Sequence, residues 1–372
     1  MRIVHLGRDE KFLPLMLSLF DEAFPGLNRY VIARKRRARQ RFVPDAPHVV
    51  FREPWRFRLG LVGADVADAD LLVVHSMTRI FAKAMRHARP RCRVVWIGWG
   101  YDYYALLESQ LGALTLPRTR ALAGGEDDDE QKPGRLAAFG SLFARRRPAL
   151  ASVASRIDVC CVLPPELQML REALPALHAQ SHDLPLFTVE DVFDRGPPSM
   201  DGPDVLLGNS ATSSNNHAEA LEMLRGRLGG DARVVVPLSY GNAGYADRVE
   251  ALGRELLGER LEPLRGWMPI DAYNERIRRC GVVVMNHRRQ QAVGNIGAAL
   301  FKGAAVYLRP ENPLFEFYRG LGATVRSIED MERNERPLQP LSRDERERNR
   351  DVIGRYYARA RVVGCIRDLA AS

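Results

Sequence analysis

The chain has 372 residues, of which 46% are hydrophobic and 27% are charged, and its formal net charge is +9. This composition excludes an intrinsically disordered chain, and the length exceeds what one ordinary core holds, so we expect two domains. No apolar run reaches the roughly 18 residues of a membrane-spanning helix, and Met1 leads directly into a strand-like segment. We therefore expect a cytoplasmic protein.

The five cysteines and the basic residues are informative by their placement. The cysteines show no C-x-x-C spacing, so we expect reduced, buried thiols and neither a zinc site nor a disulfide framework. Residues 29–58 hold ten Lys or Arg against two acids, interleaved with Phe42, Phe51, Trp55 and Phe57. Such a stretch is typical of a segment that binds an anionic membrane surface, where each cation contributes on the order of 1 kcal/mol to binding. A nucleic-acid-binding surface has the same combination of basic and aromatic residues.

The first half of the chain alternates strand and helix patterns, which predicts a parallel, doubly wound sheet. Segment 116–147, with the acid run 126–130, has the composition of a surface loop. Strands are predicted at 3–6, 30–33, 49–51, 71–75, 94–97 and 157–163, helices at 12–24, 62–69, 78–87 and 166–173, and an extended segment at 184–188.

A linker composition at 194–203 separates a second half with the same alternation. Strands are predicted at 205–207, 234–238, 261–264, 282–285, 305–308 and 324–328, helices at 216–228, 245–257, 270–279, 294–302 and 314–321, and one or two further helices within 343–369. We predict an N-terminal domain over 1–195, a second Rossmann-like domain over 204–342 and a helical segment, 343–372, packing back on the first. The cleft between two such domains is the expected ligand site.

The chain is organised around the segment 280–308, in which an apolar strand, a polar turn and a helix rich in small residues follow one another. Ligands of open α/β sheets lie beyond the carboxyl ends of the strands, where helix N-termini favour anions. Arg288, Arg289, Gln290 and Gln291 occupy that position, and Gly294-Asn295 follows at the helix start. The pattern favours an anionic ligand such as a diphosphate over ordinary surface arginines.

A second motif, residues 208–217, joins the first strand and helix of the second domain. Its glycine permits a tight turn, and side chains such as Asn209, Ser210, Ser213 and His217 supply hydrogen-bonding groups beside a helix N-terminus. It is neither a Walker loop nor a G-x-G-x-x-G motif. Taken alone, the segment is either a diphosphate-binding loop or a Ser/Asn-rich helix cap.

Carboxylates and histidines offer further candidate chemistry. The D-x-D spacings at 68–70 and 127–129 do not follow apolar strands, so we expect no metal site. His75 and Asp102 each close a predicted strand of the first domain, and either is a candidate general base for an acceptor hydroxyl. The alternatives are that Asp102 caps the following helix and that His75 bonds a neighbouring carbonyl.

Several motifs between residues 205 and 325 together resemble glycosyltransferase family 56, the TDP-N-acetylfucosamine:lipid II N-acetylfucosaminyltransferases, also labelled 4-alpha-L-fucosyltransferases. They are Leu207-Gly208-Asn209-Ser210 with Ser214-Asn215 and His217, Val234-Val235-Val236-Pro237 with Tyr240, Asp271-Ala272-Tyr273, and Arg289-Gln290-Gln291 with Gly294. In the first domain the resemblance is limited to His75 and to Trp99-Gly100 with Asp102. This chain departs from the family pattern at residues 211–213, at Ser76 and at Asn295, which bears on the identity of the sugar more than on the fold.

The resemblance implies a GT-B fold of two facing Rossmann-like domains and metal-independent transfer of a deoxyamino sugar. The donor would be a dTDP-sugar, with no other cofactor, and the acceptor a polyprenyl-diphosphate-linked saccharide of surface polysaccharide synthesis. Carried over by residue, the donor site comprises Asn209, Ser210, His217, Tyr240, Arg289, Gln290 and Gln291.

Putting these observations together, we expect a peripheral enzyme on the inner face of the cell membrane, which binds anionic lipid through 29–58 and does not bind nucleic acid. The notable alternatives are a GT-B epimerase acting on a UDP-sugar and a non-enzymatic nucleic-acid-binding protein that uses the same basic stretch.

Overall fold

The computed structural model describes residues 1–38, 41–124, 149–193, 199–266, 268–333 and 338–371. Within those ranges the chain divides into two compact units. The first unit comprises residues 1–110, 149–187 and 359–371, and the second comprises 111–124 and 188–358. The sequence had assigned 111–124 to the N-terminal domain and had set the terminal segment apart.

The strands in chain order are β1 Ile3–Arg8, β2 Asn28–Ala33, β3 Val49–Arg52, β4 Leu71–His75, β5 Arg93–Ile97, β6 Val159–Cys161, β7 Gln180–Ser181, β8 Val205–Leu207, β9 Val234–Pro237, β10 Leu261–Leu264, β11 Val282–Met285, β12 Ala305–Leu308 and β13 Arg326–Ser327. The α-helices in chain order are α1 Leu13–Ala23, α2 Pro54–Arg58, α3 Gly63–Val66, α4 Arg79–Met85, α5 Tyr104–Leu111, α6 Pro117–Ala123, α7 Pro164–Ala173, α8 His217–Leu224, α9 Ala243–Leu257, α10 Ile270–Arg278, α11 Val293–Phe301, α12 Pro313–Gly320, α13 Ile328–Arg333, α14 Arg343–Tyr356 and α15 Arg359–Ala371.

The first unit is built on a seven-stranded parallel sheet in the order β3-β2-β1-β4-β5-β6-β7. All five residues of β4 are buried, as expected of a strand that is covered on both faces. Met16, Leu19 and Phe20 of α1 pack into the core together with Val362 and Ile366 of α15. The terminal helix α15 therefore packs on the first unit, as the sequence predicted.

The second unit is built on a six-stranded parallel sheet in the order β10-β9-β8-β11-β12-β13. Every residue of β9, β11 and β12 is buried, which agrees with their Val-rich sequences. The helix α14 packs on α11 and belongs to this unit. The terminal segment is thus two helices, one in each unit.

The structure corrects several element predictions. The last strand of the first sheet is β7, and residues 184–188 form no strand. In the predicted strand 324–328 only β13 pairs with β12, because the chain then turns into α13 and buries Ile328 and Met331 in the core of the second unit. The helices α2, α5 and α6 had not been predicted. The acid run 126–130, the carboxylates at 127–129 and the start of the linker, 194–198, lie outside the described residues.

Candidate functional site

The two loops singled out from the sequence lie side by side at the point where the strand order of the second sheet reverses. Val284 of β11 pairs with Leu207 of β8, so both strands end at the same level. The backbone N–H of Gly208 donates to the carbonyl of Val284 over 3.0 Å. The 208–217 loop and the 286–292 loop therefore meet at a topological switch point, the position where ligands bind in open α/β sheets.

Gly208 is required where the 208–217 loop leaves β8. Its φ is +68°, in the left-handed region that side chains rarely adopt. A Cβ atom there would lie 2.7 Å from Asn215 Oδ1 and 3.0 Å from His217 Nε2. The glycine thus allows two buried side chains to pack against the backbone.

Asn215 holds the two loops together. Its side-chain nitrogen donates to the carbonyls of Ser210 and Thr212 over 3.0 and 3.1 Å. Its side-chain oxygen accepts from the Asn209 N–H over 3.0 Å and from His287 Nε2 over 2.8 Å. Because Asn215 is fully buried, each of these bonds would be costly to lose. Asn215 is part of a motif of the family resemblance, but the sequence did not predict its role.

Two histidines lie fully buried beside this asparagine. Burial lowers the pKa of His217 to about 3, and burial with the nearby charge of Arg289 does the same for His287. Both rings are therefore neutral near pH 7. His217 Nδ1 lies 3.0 Å from the hydroxyl of Tyr245, so its position is fixed by α9 rather than by the loop.

The 286–292 loop carries its polar side chains toward the 208–217 loop. Gln291 accepts a hydrogen bond from Ser214 over 2.7 Å and donates to Asn209 Oδ1 over 3.1 Å. Arg289 donates through Nε to the side-chain oxygen of Gln291 over 3.1 Å. The predicted donor residues Asn209, Arg289 and Gln291 are thus brought into one hydrogen-bonded group.

Arg288 is placed differently from Arg289. Its Nη1 donates to the carbonyl of Ala113 over 2.7 Å, and its Nε lies 3.8 Å from Glu311. These contacts hold the segment before α6 against the loop. The structure therefore gives the two arginines different surroundings; from the sequence, only the family resemblance had favoured Arg289.

The remaining predicted donor residues lie on the same edge of the sheet with different exposures. Ser210 is buried, and Ser213 lies 3.4 Å from the hydroxyl of Thr115. Tyr240 is exposed in the loop after β9, and its backbone carbonyl accepts a hydrogen bond from the N–H of Ala211 in the 208–217 loop. Gln290 is half-buried. Gly294 and Asn295 form the first turn of α11, whose preceding residue Ala292 has a φ of +57°.

The sequence missed the groups that join the loops to the rest of the unit. Asn216 and Asn286 exchange two hydrogen bonds of 2.9 Å between side-chain nitrogens and backbone carbonyls. Asn216 also accepts from Leu116 N over 2.8 Å and donates to Leu114 O over 3.1 Å. A segment from the first half of the sequence therefore completes the site, and no local pattern marks it.

In the first unit, Asp102 braces two loops. Its carboxylate accepts from the backbone N–H of Met77 over 2.6 Å, from that of Trp99 over 3.0 Å and from the indole of Trp96 over 2.9 Å. Burial raises its pKa, although these hydrogen bonds oppose the shift. It does not cap α5. Both carboxylate oxygens are occupied by donors that hold the ends of β4 and β5.

His75 ends β4 and is fully buried. Its Nε2 lies 3.1 Å from His5 Nδ1, and His5 Nε2 lies 3.1 Å from Asn28 Oδ1, so His75 does not bond a carbonyl as the sequence suggested. Asn28 donates its amide to two carbonyls, which makes its oxygen the acceptor and His5 Nε2 the donor. Because burial lowers the pKa of His75 to about 3, the ring is neutral, and its Nδ1 carries a lone pair.

A buried carboxylate lies near these groups. Glu166, in the first turn of α7, accepts a hydrogen bond from the hydroxyl of Tyr103 over 2.6 Å and another from that of Tyr104. Burial raises its pKa to about 7, against the effect of the two tyrosines.

The described part of the chain contains no cluster of three or more His, Cys, Asp or Glu side chains able to hold a metal ion. Asp68 forms an ion pair with Arg2, and the carboxylate of Asp70 accepts a hydrogen bond from the backbone N–H of Arg2 over 2.8 Å. Cys92, Cys160, Cys161 and Cys280 are buried free thiols, and Cys365 is half-buried. No helix in the described ranges is long and apolar enough to span a bilayer.

Residues 192–321 match the model of the family described as 4-alpha-L-fucosyltransferase, glycosyl transferase group 56. The match covers both loops, the strands β8, β9 and β11 that carry them, and the start of α11. The second unit is therefore similar to group 56 over most of its length. The resemblance drawn from the sequence is confirmed, and the protein is a glycosyltransferase.

Solved structures that are similar to the whole chain confirm the GT-B fold of this glycosyltransferase. Sucrose-phosphate synthase from Thermosynechococcus elongatus matches with a TM-score of 0.63 and 11% identity over 100% of both chains. Anabaena HepE, in complex with UDP and glucose, matches with a TM-score of 0.61 and 12% identity over 100% of this chain and 99% of its own. The UDP-forming trehalose-phosphate synthase from Burkholderia xenovorans matches with a TM-score of 0.60 and 10% identity over 99% of this chain and 100% of its own.

Proposed function

We propose that this glycosyltransferase moves a deoxyamino sugar from a dTDP-sugar to a polyprenyl-diphosphate-linked saccharide at a membrane surface. The observation that carries the proposal is the hydrogen-bonded pair of loops at the switch point of the second sheet. The class of sugar and the class of acceptor are inferred from the resemblance of the chain to group 56. The complex of HepE with UDP and glucose supports a nucleotide-sugar donor.

The diphosphate of the donor would lie between the 208–217 loop and the first turn of α11. Helix N-termini carry a partial positive charge and unpaired N–H groups, and Arg289 adds a full charge on the same side. When the bond from the sugar to the diphosphate breaks, negative charge accumulates on the leaving group. A fixed guanidinium stabilises that charge more than the ground state, which is how it would accelerate transfer. Since a fixed cation can supply this stabilisation, we propose that no metal ion is needed.

The anionic membrane surface would be bound by part of the 29–58 stretch. Arg29 and Arg52 both pair with Asp65, and Arg34 pairs with Asp9, so these three cations are engaged within the unit. The other Lys and Arg residues that the structure describes in 29–58 are mostly exposed. The helix α2 and the turn after it also carry exposed apolar side chains. Those side chains are Trp55, Leu59 and Leu61, beside the exposed cations Arg56 and Arg58. Cations and aromatic groups side by side suit the interface of an anionic bilayer.

Donor binding is tested first by thermal shift with dTDP, UDP and GDP. The proposal expects the largest stabilisation from dTDP, because binding to the folded state alone raises the apparent stability. Arg289→Ala should weaken dTDP binding by roughly ten- to a hundredfold, since a charge-assisted hydrogen bond contributes on the order of 1.5–3 kcal/mol. Arg343→Ala, at an exposed position of α14, is the control. Equal affinities in Arg289→Ala and the control would contradict the diphosphate role.

Product analysis with and without a polyprenyl-diphosphate-linked saccharide separates transfer from epimerisation. A transferase releases dTDP and a glycosylated lipid only when the acceptor is present, whereas an epimerase releases its product without an acceptor. The nucleic-acid alternative predicts salt-sensitive binding to oligonucleotides in preference to anionic vesicles. The opposite preference would exclude it.

A further inference from the structure

We propose that Glu10 is the carboxylate that accepts the proton of the acceptor hydroxyl during sugar transfer. The inference rests on the proposed function, and the observations behind it all come from the first unit. Glu10 lies in the connection between β1 and α1, at the carboxyl end of the sheet where the strand order reverses between β1 and β4. Ligands of doubly wound sheets bind at this position.

The contacts of Glu10 leave it able to accept a proton. Its Oε1 accepts a hydrogen bond from the hydroxyl of Tyr101 over 2.8 Å. No donor among the described residues contacts its Oε2. Asp102, by contrast, uses both oxygens to hold the N–H groups of Met77 and Trp99 and the indole of Trp96. The geometry therefore makes Asp102 a brace for the loops and leaves Glu10 with an oxygen for the substrate.

The charges around Glu10 suit a base. Burial raises its pKa above the usual value, and the charge of Asp102 raises it further, while the hydrogen bond from Tyr101 and the charge of Arg8 oppose the shift. A general base works best when its pKa approaches the working pH.

The surroundings of Glu10 have the character of a saccharide site. Phe12 stacks on Trp99 with ring centres 6.1 Å apart, and the rings of Phe12 and Tyr101 remain 50% and 41% exposed. Aromatic faces of this kind pack against the C–H faces of sugars. The indole N–H of Trp99, beside Phe12, is a buried donor that has no hydrogen-bond partner in the described part of the chain.

The step balances without any further reactant. The acceptor oxygen attacks the anomeric carbon, and its proton passes to the Oε2 of Glu10. The bond between the anomeric carbon and the diphosphate oxygen breaks, and the nucleoside diphosphate leaves with the electron pair. Because a one-step displacement of this kind inverts the anomeric carbon, the proposed step gives a product with inverted configuration.

The test measures transfer from a dTDP-sugar to a short-chain polyprenyl-diphosphate-linked saccharide as a function of pH. Glu10→Gln should lower kcat by about 100- to 10,000-fold, the usual contribution of a general base, without weakening dTDP binding. The wild-type rate should fall at acid pH as Glu10 becomes protonated, and Glu10→Gln should lose that dependence. Asp102→Asn should keep the fall of the rate at acid pH, but the fall should occur at a lower pH than in the wild type. Glu172→Gln, at an exposed position of α7, is the control and should behave as the wild type.

Three results would overturn the inference. They are a kcat of Glu10→Gln equal to that of the control, an acid limb that disappears in Asp102→Asn but persists in Glu10→Gln, and a product with retained configuration by NMR. The proposed function survives each of these results. If the wild type transfers no sugar to this acceptor, the proposed function fails and this inference fails with it.

Discussion

Gly208→Ala tests whether the geometry of the 208–217 loop depends on one backbone position. The added methyl group would lie 2.7 Å from Asn215 Oδ1, and the residue would have to hold a φ of +68°. Forcing a side chain into the left-handed region costs about 1–2 kcal/mol. Displacing Asn215 also weakens its bonds to Asn209 N and His287 Nε2, at roughly 1 kcal/mol each.

The expected loss in the free energy of unfolding is therefore about 3–4 kcal/mol. Gly226→Ala is a matched control, because its φ is +79° but no heavy atom lies within 4 Å of the added Cβ. The free energy of unfolding of Gly226→Ala should fall by only about 1–2 kcal/mol, the cost of the left-handed backbone conformation. Urea unfolding followed by circular dichroism measures both. Thermal shift with dTDP should show a weakened response in Gly208→Ala and an unchanged response in Gly226→Ala. Identical unfolding curves and identical dTDP responses would refute the argument that Gly208 makes room for Asn215.

Further outcomes follow from the same structure. The pKa of Glu166 is raised from an ordinary 4.5 to about 7, so the folded state binds the extra proton and stability falls as pH rises between these values. The fall amounts to roughly 3 kcal/mol, and Glu166→Gln should remove that part of the pH dependence in urea unfolding at a series of pH values; an unchanged profile would contradict it. Asn286→Ala removes one of the two bonds to Asn216 and also the acceptor of the buried Arg309 Nε–H, so it should cost about 1–3 kcal/mol and weaken dTDP binding; a variant with wild-type stability and affinity would show that Asn286 does not hold the loops. Replacing Trp55 and Leu59 by serine should reduce sedimentation with phosphatidylserine vesicles without changing dTDP binding, whereas undiminished sedimentation would place the membrane contact elsewhere.

The sequence predicted most of the fold because its strands are short apolar runs between clear helix patterns. Val282 to Met285 could only be a strand buried on both faces, and a buried parallel strand implies helices on both sides. The same reasoning predicted where an anion would bind, since Arg289 and Gln291 lie in the loop that follows this strand. Element boundaries failed where local patterns were weak, as in α5 and α6.

The site depends on contacts that local sequence does not encode. Asn215 and His287 are 72 residues apart, and their hydrogen bond exists because β8 and β11 are neighbours in the sheet. The contact of Arg288 with Ala113 spans 175 residues and distinguishes this arginine from Arg289. No periodicity could have shown either contact.

The sequence by itself determined two doubly wound domains, the resemblance of the second to group 56 and the two loops that meet at its switch point, because burial pattern and residue type are local properties. Only the tertiary structure decided what each polar side chain does. Asp102, a candidate base in the sequence, accepts three hydrogen bonds that hold the ends of β4 and β5, and Glu10 accepts a hydrogen bond from Tyr101, 91 residues away. A carboxylate's role is set by the donors that surround it, and those donors are brought together by the order of the strands.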